Sequence, residues 1–139
     1  MKLLTKELQS KIPALYSTEE TPTEEKIIIC KFFSLMGGWT WYVVEGESQE
    51  DGDFLFFGLV DGFEREWSYF TLRELESVRF HGIPGIDRDL YFDAVKVSEC
   101  REIRAREHSR HYVDPARVEV SPDRKMITLR AVLRQKFMN

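Results

Sequence analysis

The chain has 139 residues, of which 42% are hydrophobic and 32% are charged. These proportions are typical of a globular protein with one domain and a single core. No apolar run approaches the roughly 20 residues of a membrane-spanning helix, and the amino terminus lacks a signal-peptide pattern. We therefore predict a cytoplasmic protein with no membrane association, in which Cys30 and Cys100 are free thiols.

The formal net charge of −4 is divided unevenly along the chain. Residues 1–100 hold 10 Lys and Arg against 19 Asp and Glu, a net charge of −9, whereas residues 101–139 hold 10 against 5, a net charge of +5. Two interpretations fit this asymmetry. The basic segment either docks on the acidic body or offers a basic surface to an anionic partner.

The amino-terminal part predicts a helix, a loop and a hairpin. Apolar residues recur at spacing four before Pro13, which is typical of an amphipathic helix that proline ends. The polar residues 14–25 then predict a surface loop. Residues 26–33 predict a buried strand, which forms a hairpin through a glycine-containing turn with a second strand at 39–45.

Residues 39–78 contain all three tryptophans and predict three strands followed by a helix. Alternation in the first strand places Trp39 and Trp41 on one face, and we predict that at least one of them lies in the core. The strand at 54–60 is apolar on both faces, which indicates a position inside the sheet. Gly58 within it indicates a bulge or a close approach of backbone.

The second half of this stretch carries turn and cap signals. Asp61-Gly62 predicts a type I′ hairpin turn. The alternating residues 63–70 predict a half-buried strand with a polar, acidic outer face. Thr71 and Glu74 fit a capping box, in which the Thr71 hydroxyl accepts a hydrogen bond from the Glu74 amide and begins a helix.

Downstream, residues 91–97 predict a short strand, residues 99–110 a charged helix and residues 116–133 a second hairpin. The strands follow one another without the long crossover helices that a parallel sheet needs. We therefore predict an α+β fold, an antiparallel β-meander with flanking helices and a C-terminal helix plus β-hairpin. The whole chain is predicted to be a single domain, with residues 1–98 as the body and residues 99–139 as a basic extension.

The body is rich in carboxylates that could ligate Mg²⁺ or Mn²⁺, because hard cations prefer oxygen ligands. The candidates are Glu45, Asp53, Asp61, Glu64, Glu66, Asp87 and Asp89. No two of them have a diagnostic spacing, so a solvated acidic rim is the alternative. Arg88 lies between two of these carboxylates, and we predict that it forms a bidentate salt bridge.

The extension is rich in arginine, which binds phosphates in a bidentate manner. Arg101, Arg104 and Arg110 are its first candidates for contact with nucleic acid through residues 101–139. Stacking side chains for such contact are few in this segment. The chain has no phosphate-binding glycine loop and no standard zinc spacing, and we predict no cofactor, no metal and no catalytic residue.

Several short stretches of sequence in the body are distinctive. They are Leu3-Leu4-Thr5, Trp39-Thr40-Trp41-Tyr42, Asp53-Phe54-Leu55-Phe56-Phe57-Gly58-Leu59-Val60, Gly62-Phe63-Glu64 and Arg88-Asp89-Leu90-Tyr91-Phe92. Over residues 1–98 the chain resembles the bacterial domain-of-unknown-function family 2958. The resemblance implies a small protein typical of plasmids, conjugative elements and their hosts, and it implies no particular activity.

We therefore predict a non-enzymatic accessory protein of a bacterial mobile element that binds a protein partner in transfer, maintenance or host-defence machinery. One alternative is a metal-dependent nuclease or phosphohydrolase that uses the acidic rim. Another is a nucleic-acid binder that uses the arginine-rich segment. The oligomeric state is left open. The predicted binding residues are Trp41, Glu45, Asp53, Glu64, Glu66, Arg88, Asp89, Arg101, Arg104 and Arg110.

Overall fold

The computed structural model describes residues 2–106, which form short helices and nine strands. The α-helices are α1 Lys6–Lys11, α2 Leu72–Ser77 and α3 Arg101–Arg106, and 3₁₀ turns occupy Thr23–Glu25 and Val97–Glu99. The strands are β1 Ile27–Ile28, β2 Cys30–Ser34, β3 Thr40–Ser48, β4 Phe54–Asp61, β5 Arg65–Thr71, β6 Arg79–Phe80, β7 Ile83–Pro84, β8 Ile86–Arg88 and β9 Val95–Lys96. The predicted hairpin at 116–133, and Arg110 in the predicted helix, lie outside the described residues.

Five strands form one antiparallel sheet in the order β5-β4-β3-β2-β8. Strands β2 to β5 are consecutive neighbours, so the predicted meander and the α+β class are confirmed. The predicted strand at 26–33 is divided between two sheets. Its first half, β1, pairs with β9, and its second half, β2, enters the main sheet. Of the strand predicted at residues 91–97, only Val95–Lys96 forms, as β9.

Both faces of the sheet are covered. The first face packs against α1, α2 and the amino-terminal leucines, and its centre includes Phe32, Trp39, Trp41, Phe56 and Phe70. The second face packs against β1 and α3, and its centre includes Ile28, Tyr42, Leu59, Trp67 and Ile103. The prediction that at least one of the two neighbouring tryptophans lies in the core is confirmed. The prediction of a half-buried β5 is wrong, because its side chains are covered on both faces.

A bulge in β3 lies opposite Gly58, as the sequence predicts. The pairing passes from Val43 opposite Gly58 to Glu45 opposite Phe57, so Val44 is the extra residue. A Cβ atom on Gly58 would lie 1.8 Å from the carbonyl oxygen of Tyr42. Only glycine allows the two strands to approach this closely.

The hairpin between β4 and β5 forms, but its turn is not of type I′. Asp61 pairs with Arg65, so three residues form the connection, and neither Asp61 nor Gly62 has a positive φ. A Cβ atom on Gly62 would lie 2.5 Å from the indole ring of Trp39. The glycine therefore makes room for a buried aromatic ring instead of supplying a left-handed conformation.

The predicted helix cap at Thr71 is confirmed. Thr71 caps α2, since its hydroxyl accepts a hydrogen bond from the Glu74 amide at 3.1 Å. The Glu74 side chain is buried. Within residues 2–106, no helix is both long and apolar enough to cross a membrane.

Cys30 and Cys100 are free thiols, and both are buried. Burial raises the pKa of the Cys30 thiol to about 12, so at pH 8 only about one side chain in 10⁴ is a thiolate. We expect neither thiol of the folded protein to react with Ellman's reagent within minutes at pH 8. Both are expected to react at once in concentrated guanidinium chloride. A thiol that reacts rapidly in the folded protein would contradict this burial.

Candidate functional site

The carboxylates predicted as an acidic rim do not converge on one place. Asp53 lies in the connection before β4 and Glu64 in the connection after it, so the length of the strand, roughly 25 Å, separates them. Among residues 2–106, no group of three or more His, Cys, Asp and Glu side chains is placed to hold a metal ion. Asp53 instead organises its turn by accepting hydrogen bonds from the amides of Phe54 and Arg73.

Glu45 lies inside the protein and not on a solvated rim. Its side chain is covered by the loop at 14–25 and accepts hydrogen bonds from the Tyr16 amide at 2.8 Å, the Thr18 amide at 3.2 Å and the Thr18 hydroxyl. The Lys26 ammonium donates to the same hydroxyl at 2.9 Å. Burial lowers the pKa of Lys26, and the carboxylates of Glu45 and Glu19 oppose that shift. Glu45 therefore holds the loop on the sheet, and its side chain, which was predicted to bind a partner, is buried.

We expect Glu45→Gln to lower the free energy of unfolding by about 2 kcal/mol, because charge-assisted hydrogen bonds to two amides and a hydroxyl are weakened. Urea unfolding followed by tryptophan fluorescence measures the change. The control is Glu47→Gln, two residues along β3 and exposed, which is expected to change the stability by less than about 0.5 kcal/mol. Equal effects of the two substitutions would contradict the anchoring role of Glu45.

Two other predicted binding residues have structural roles. Trp41 is fully buried on the first face and cannot contact a partner. Arg88 forms no bidentate pair with its neighbouring carboxylates. It pairs with Phe32 across the ladder, so its side chain points to the first face and donates to the carbonyl of Leu3 at 2.7 Å and that of Lys2 at 3.2 Å. Alternation along β8 places Asp87 on the opposite face.

Helix α3 docks on the second face through residues other than its arginines. Ile103 is buried there, and its carbonyl accepts a hydrogen bond from Arg65 at 2.8 Å. Glu102 accepts from the Tyr42 hydroxyl at 3.1 Å. The side chains of Arg101 and Arg104 are exposed. The first turns of the basic segment are therefore docked, as one interpretation of the charge asymmetry requires, but the arginines face solvent.

Large apolar side chains are exposed at one end of the sheet, which we call the apolar end. It consists of Leu35, Met36, Phe63 and Ile83, which are 47% to 64% exposed. The first two lie in the connection from β2 to β3, and the third lies in the adjacent connection from β4 to β5. Ile83 lies close to them, because Gly85, two residues further along the chain, is held beside Leu35. The Gly85 carbonyl accepts a hydrogen bond from the Leu35 amide at 2.9 Å.

Part of the apolar end packs on a buried aromatic side chain. The ring of Phe63 packs edge-on against that of Trp39 with centroids 5.6 Å apart, and Trp39 is buried. Sequence reasoning missed this surface, because Phe63 was assigned to the buried face of a strand. The available signal was the pair of large apolar residues, Leu35 and Met36, directly before two turn glycines.

A groove of about 490 Å³ lies on the second face between β8 and α3, and we call it the Tyr91 groove. Phe33 and Thr40 form its floor, and the exposed side chain of Tyr91 forms part of its wall. The carboxylates of Asp87, Asp89 and Glu102 line it. Among residues 2–106, the residues predicted to bind a partner that lie along this groove are Asp89 and Arg88.

Comparison with known proteins agrees with the resemblance carried by the sequence strings. The family model described as "Protein of unknown function (DUF2958)" matches residues 3–109. No curated protein and no solved structure gives a significant match. Because the family model covers most of the 139 residues, the chain belongs to the DUF2958 family of proteins of unknown function.

Proposed function

We propose that this protein is a non-enzymatic accessory protein of a bacterial mobile element, and that it acts in the cytoplasm by binding a protein partner through the apolar end. The association with mobile elements rests on the family resemblance. The binding role rests on one observation, the large apolar side chains that are exposed together at one end of the sheet. Monomeric proteins rarely expose such clusters unless another surface covers them.

The apolar end has the properties of a binding surface. Its side chains are held by two short hairpin connections, so little conformational freedom is lost when a partner covers them. Phe63 supplies an aromatic anchor that the buried Trp39 ring supports from below. Each of these half-exposed side chains would contribute about 1 kcal/mol if a partner buried the rest of its area.

Capture experiments with the tagged full-length protein test this proposal. Lysates of bacteria that carry the gene are passed over wild-type protein, Met36→Ser and Phe63→Ser, and captured proteins are quantified by mass spectrometry. Ile27→Ser is the matched control, because Ile27 is also an exposed aliphatic residue but lies on β1, away from the apolar end. We expect at least one protein to be captured by the wild type and the control and lost by both serine variants.

Two results would contradict the proposal. One is capture that is the same for all four proteins. The other is self-association of the purified wild type, measured by light scattering, that Phe63→Ser abolishes. In that case the apolar end is an interface between copies of this chain.

A nucleic-acid binder is the second candidate, and it rests on the exposure of Arg101 and Arg104 at i,i+3 positions of α3. Fluorescence anisotropy of labelled single- and double-stranded oligonucleotides with the full-length protein tests it. Phosphate contact requires an affinity that falls steeply with salt and weakens in Arg101→Ala/Arg104→Ala. No binding at low salt would exclude this candidate.

A further inference from the structure

We propose that the Tyr91 groove binds an arginine-bearing segment of a protein partner. This inference rests on the proposed function, because such a segment belongs to a bound protein, but it concerns a different surface from the apolar end. The groove lies on the second face of the sheet, whereas the apolar end is formed by its turns. The carboxylates and the exposed aromatic ring of the groove indicate which kind of side chain it binds.

The ladder between β2 and β8 builds the groove. Phe33 pairs with Asp87, and the Asp89 amide donates to the Lys31 carbonyl at 3.0 Å, so these four side chains share the second face. The loop then turns outward, because the Asp89 carboxylate accepts a hydrogen bond from the Tyr91 amide at 2.9 Å. This turn presents the Tyr91 side chain to solvent, where it is 93% exposed.

The charge of the groove favours a cation. Glu102 and Asp89 both lie beside the Lys31 ammonium, at 2.6 Å and 3.5 Å. Asp87 forms no ion pair with any of residues 2–106. Three carboxylates and one ammonium leave the groove with a net negative charge, since the Arg88 guanidinium points to the other face. Such a groove repels phosphates and attracts a basic side chain.

Arginine fits this groove better than lysine. Its planar guanidinium can stack on the exposed Tyr91 ring while it donates two hydrogen bonds to the Asp87 carboxylate. Its aliphatic stem can lie against Phe33 and Leu90, which line the same groove. A lysine ammonium keeps the charge but loses both the stacking and the bidentate geometry.

Binding of defined peptides to the full-length protein tests this inference. The probe is a fluorescein-labelled decapeptide in which three arginines alternate with leucines, and its analogues carry lysine or the neutral isostere citrulline. We expect the arginine peptide to bind about threefold more tightly than the lysine peptide and at least about tenfold more tightly than the citrulline peptide. Tyr91→Ser and Asp87→Asn are each expected to weaken its binding about fivefold or more.

Two control variants separate this inference from the proposed function. Glu76→Gln removes one exposed negative charge on α2 and is expected to leave arginine-peptide affinity unchanged. Phe63→Ser is also expected to leave it unchanged, although it abolishes capture through the apolar end. In Phe63→Ser, loss of capture together with unchanged peptide binding would therefore show that the two surfaces bind independently.

Three results would overturn the inference. They are equal affinities for the arginine and citrulline peptides, an unchanged affinity in both Tyr91→Ser and Asp87→Asn, and no binding of the arginine peptide at low salt. The last result includes the case in which arginines beyond residue 106 of the same chain occupy the groove. None of these results would alter the outcome of the capture experiment at the apolar end.

Discussion

Arg65→Ala is expected to lower the free energy of unfolding by about 3–5 kcal/mol, the usual cost of breaking a buried ion pair by removing one partner. Arg65 and Asp61 are almost completely buried, and their side chains approach to 3.5 Å. Arg65 also donates to the Ile103 carbonyl at 2.8 Å, which ties α3 to the second face. The substitution removes the positive charge beside a buried carboxylate and the donor that holds α3.

Urea unfolding of the full-length protein measures this loss of stability, and two further variants serve as comparisons. Arg73→Ala removes an arginine whose pair with Asp51 is exposed, and it is expected to cost less than about 1 kcal/mol. Arg65→Met combined with Asp61→Asn removes both charges, and it is expected to be more stable than Arg65→Ala, because neither charge of the pair is left buried without the other. If Arg65→Ala were no more destabilising than Arg73→Ala, the buried pair would not organise this face.

Gly58→Ala is expected to lower the free energy of unfolding by about 3 kcal/mol or more. The added Cβ atom would lie 1.8 Å from the Tyr42 carbonyl oxygen and 2.8 Å from its carbonyl carbon. Backbone of a neighbouring strand cannot move aside as a flexible side chain can, so the two central strands must separate at the bulge. Urea unfolding, or failure of the variant to fold, would show this effect.

The matched control for this substitution is Gly82→Ala. Gly82 has a φ of +78° with no atom within 4 Å of the added Cβ, so its cost is the backbone strain alone, about 1 kcal/mol. The comparison separates a steric clash from the general cost of replacing glycine. Equal losses of stability in the two variants would contradict the close approach of β3 and β4.

Much of the fold could be predicted because it is encoded locally. Alternation placed Trp39 and Trp41 on the first face and Tyr42 on the second, and the structure agrees. The bulge was indicated by Gly58, and the start of α2 by the Thr71 cap. Each of these features depends on residues that are close in sequence or on directly paired strands.

The surroundings of the predicted binding residues could not be predicted, because they come from distant parts of the chain. Glu45 precedes a polar stretch and was predicted to be solvated, but Tyr16 and Thr18 cover it from 27 to 29 residues upstream. Alternation within residues 63–70 places Arg65 on the same face as Trp67 and Tyr69. The acceptor for Arg65, the Ile103 carbonyl, is 38 residues downstream. Local alternation gives the face of a side chain but not what covers that face.

The apolar end and the Tyr91 groove were missed for a related reason. The apolar end, and the part of the groove wall that Tyr91 forms, lie in connections between strands. Tyr91 is the first residue of a predicted strand, yet it lies in a turn that Asp89 stabilises. Phe63 was predicted as the first residue of β5, yet the strand begins at Arg65.

The most direct test of the proposed function is photo-crosslinking in bacterial cells that carry the gene, with p-benzoylphenylalanine placed at position 63. The control places it at position 76, an exposed site on α2. We predict that illumination joins the protein at position 63, but not at position 76, to a second and different protein. No adduct at position 63, or adducts only between copies of this chain, would contradict a partner-binding role for the apolar end.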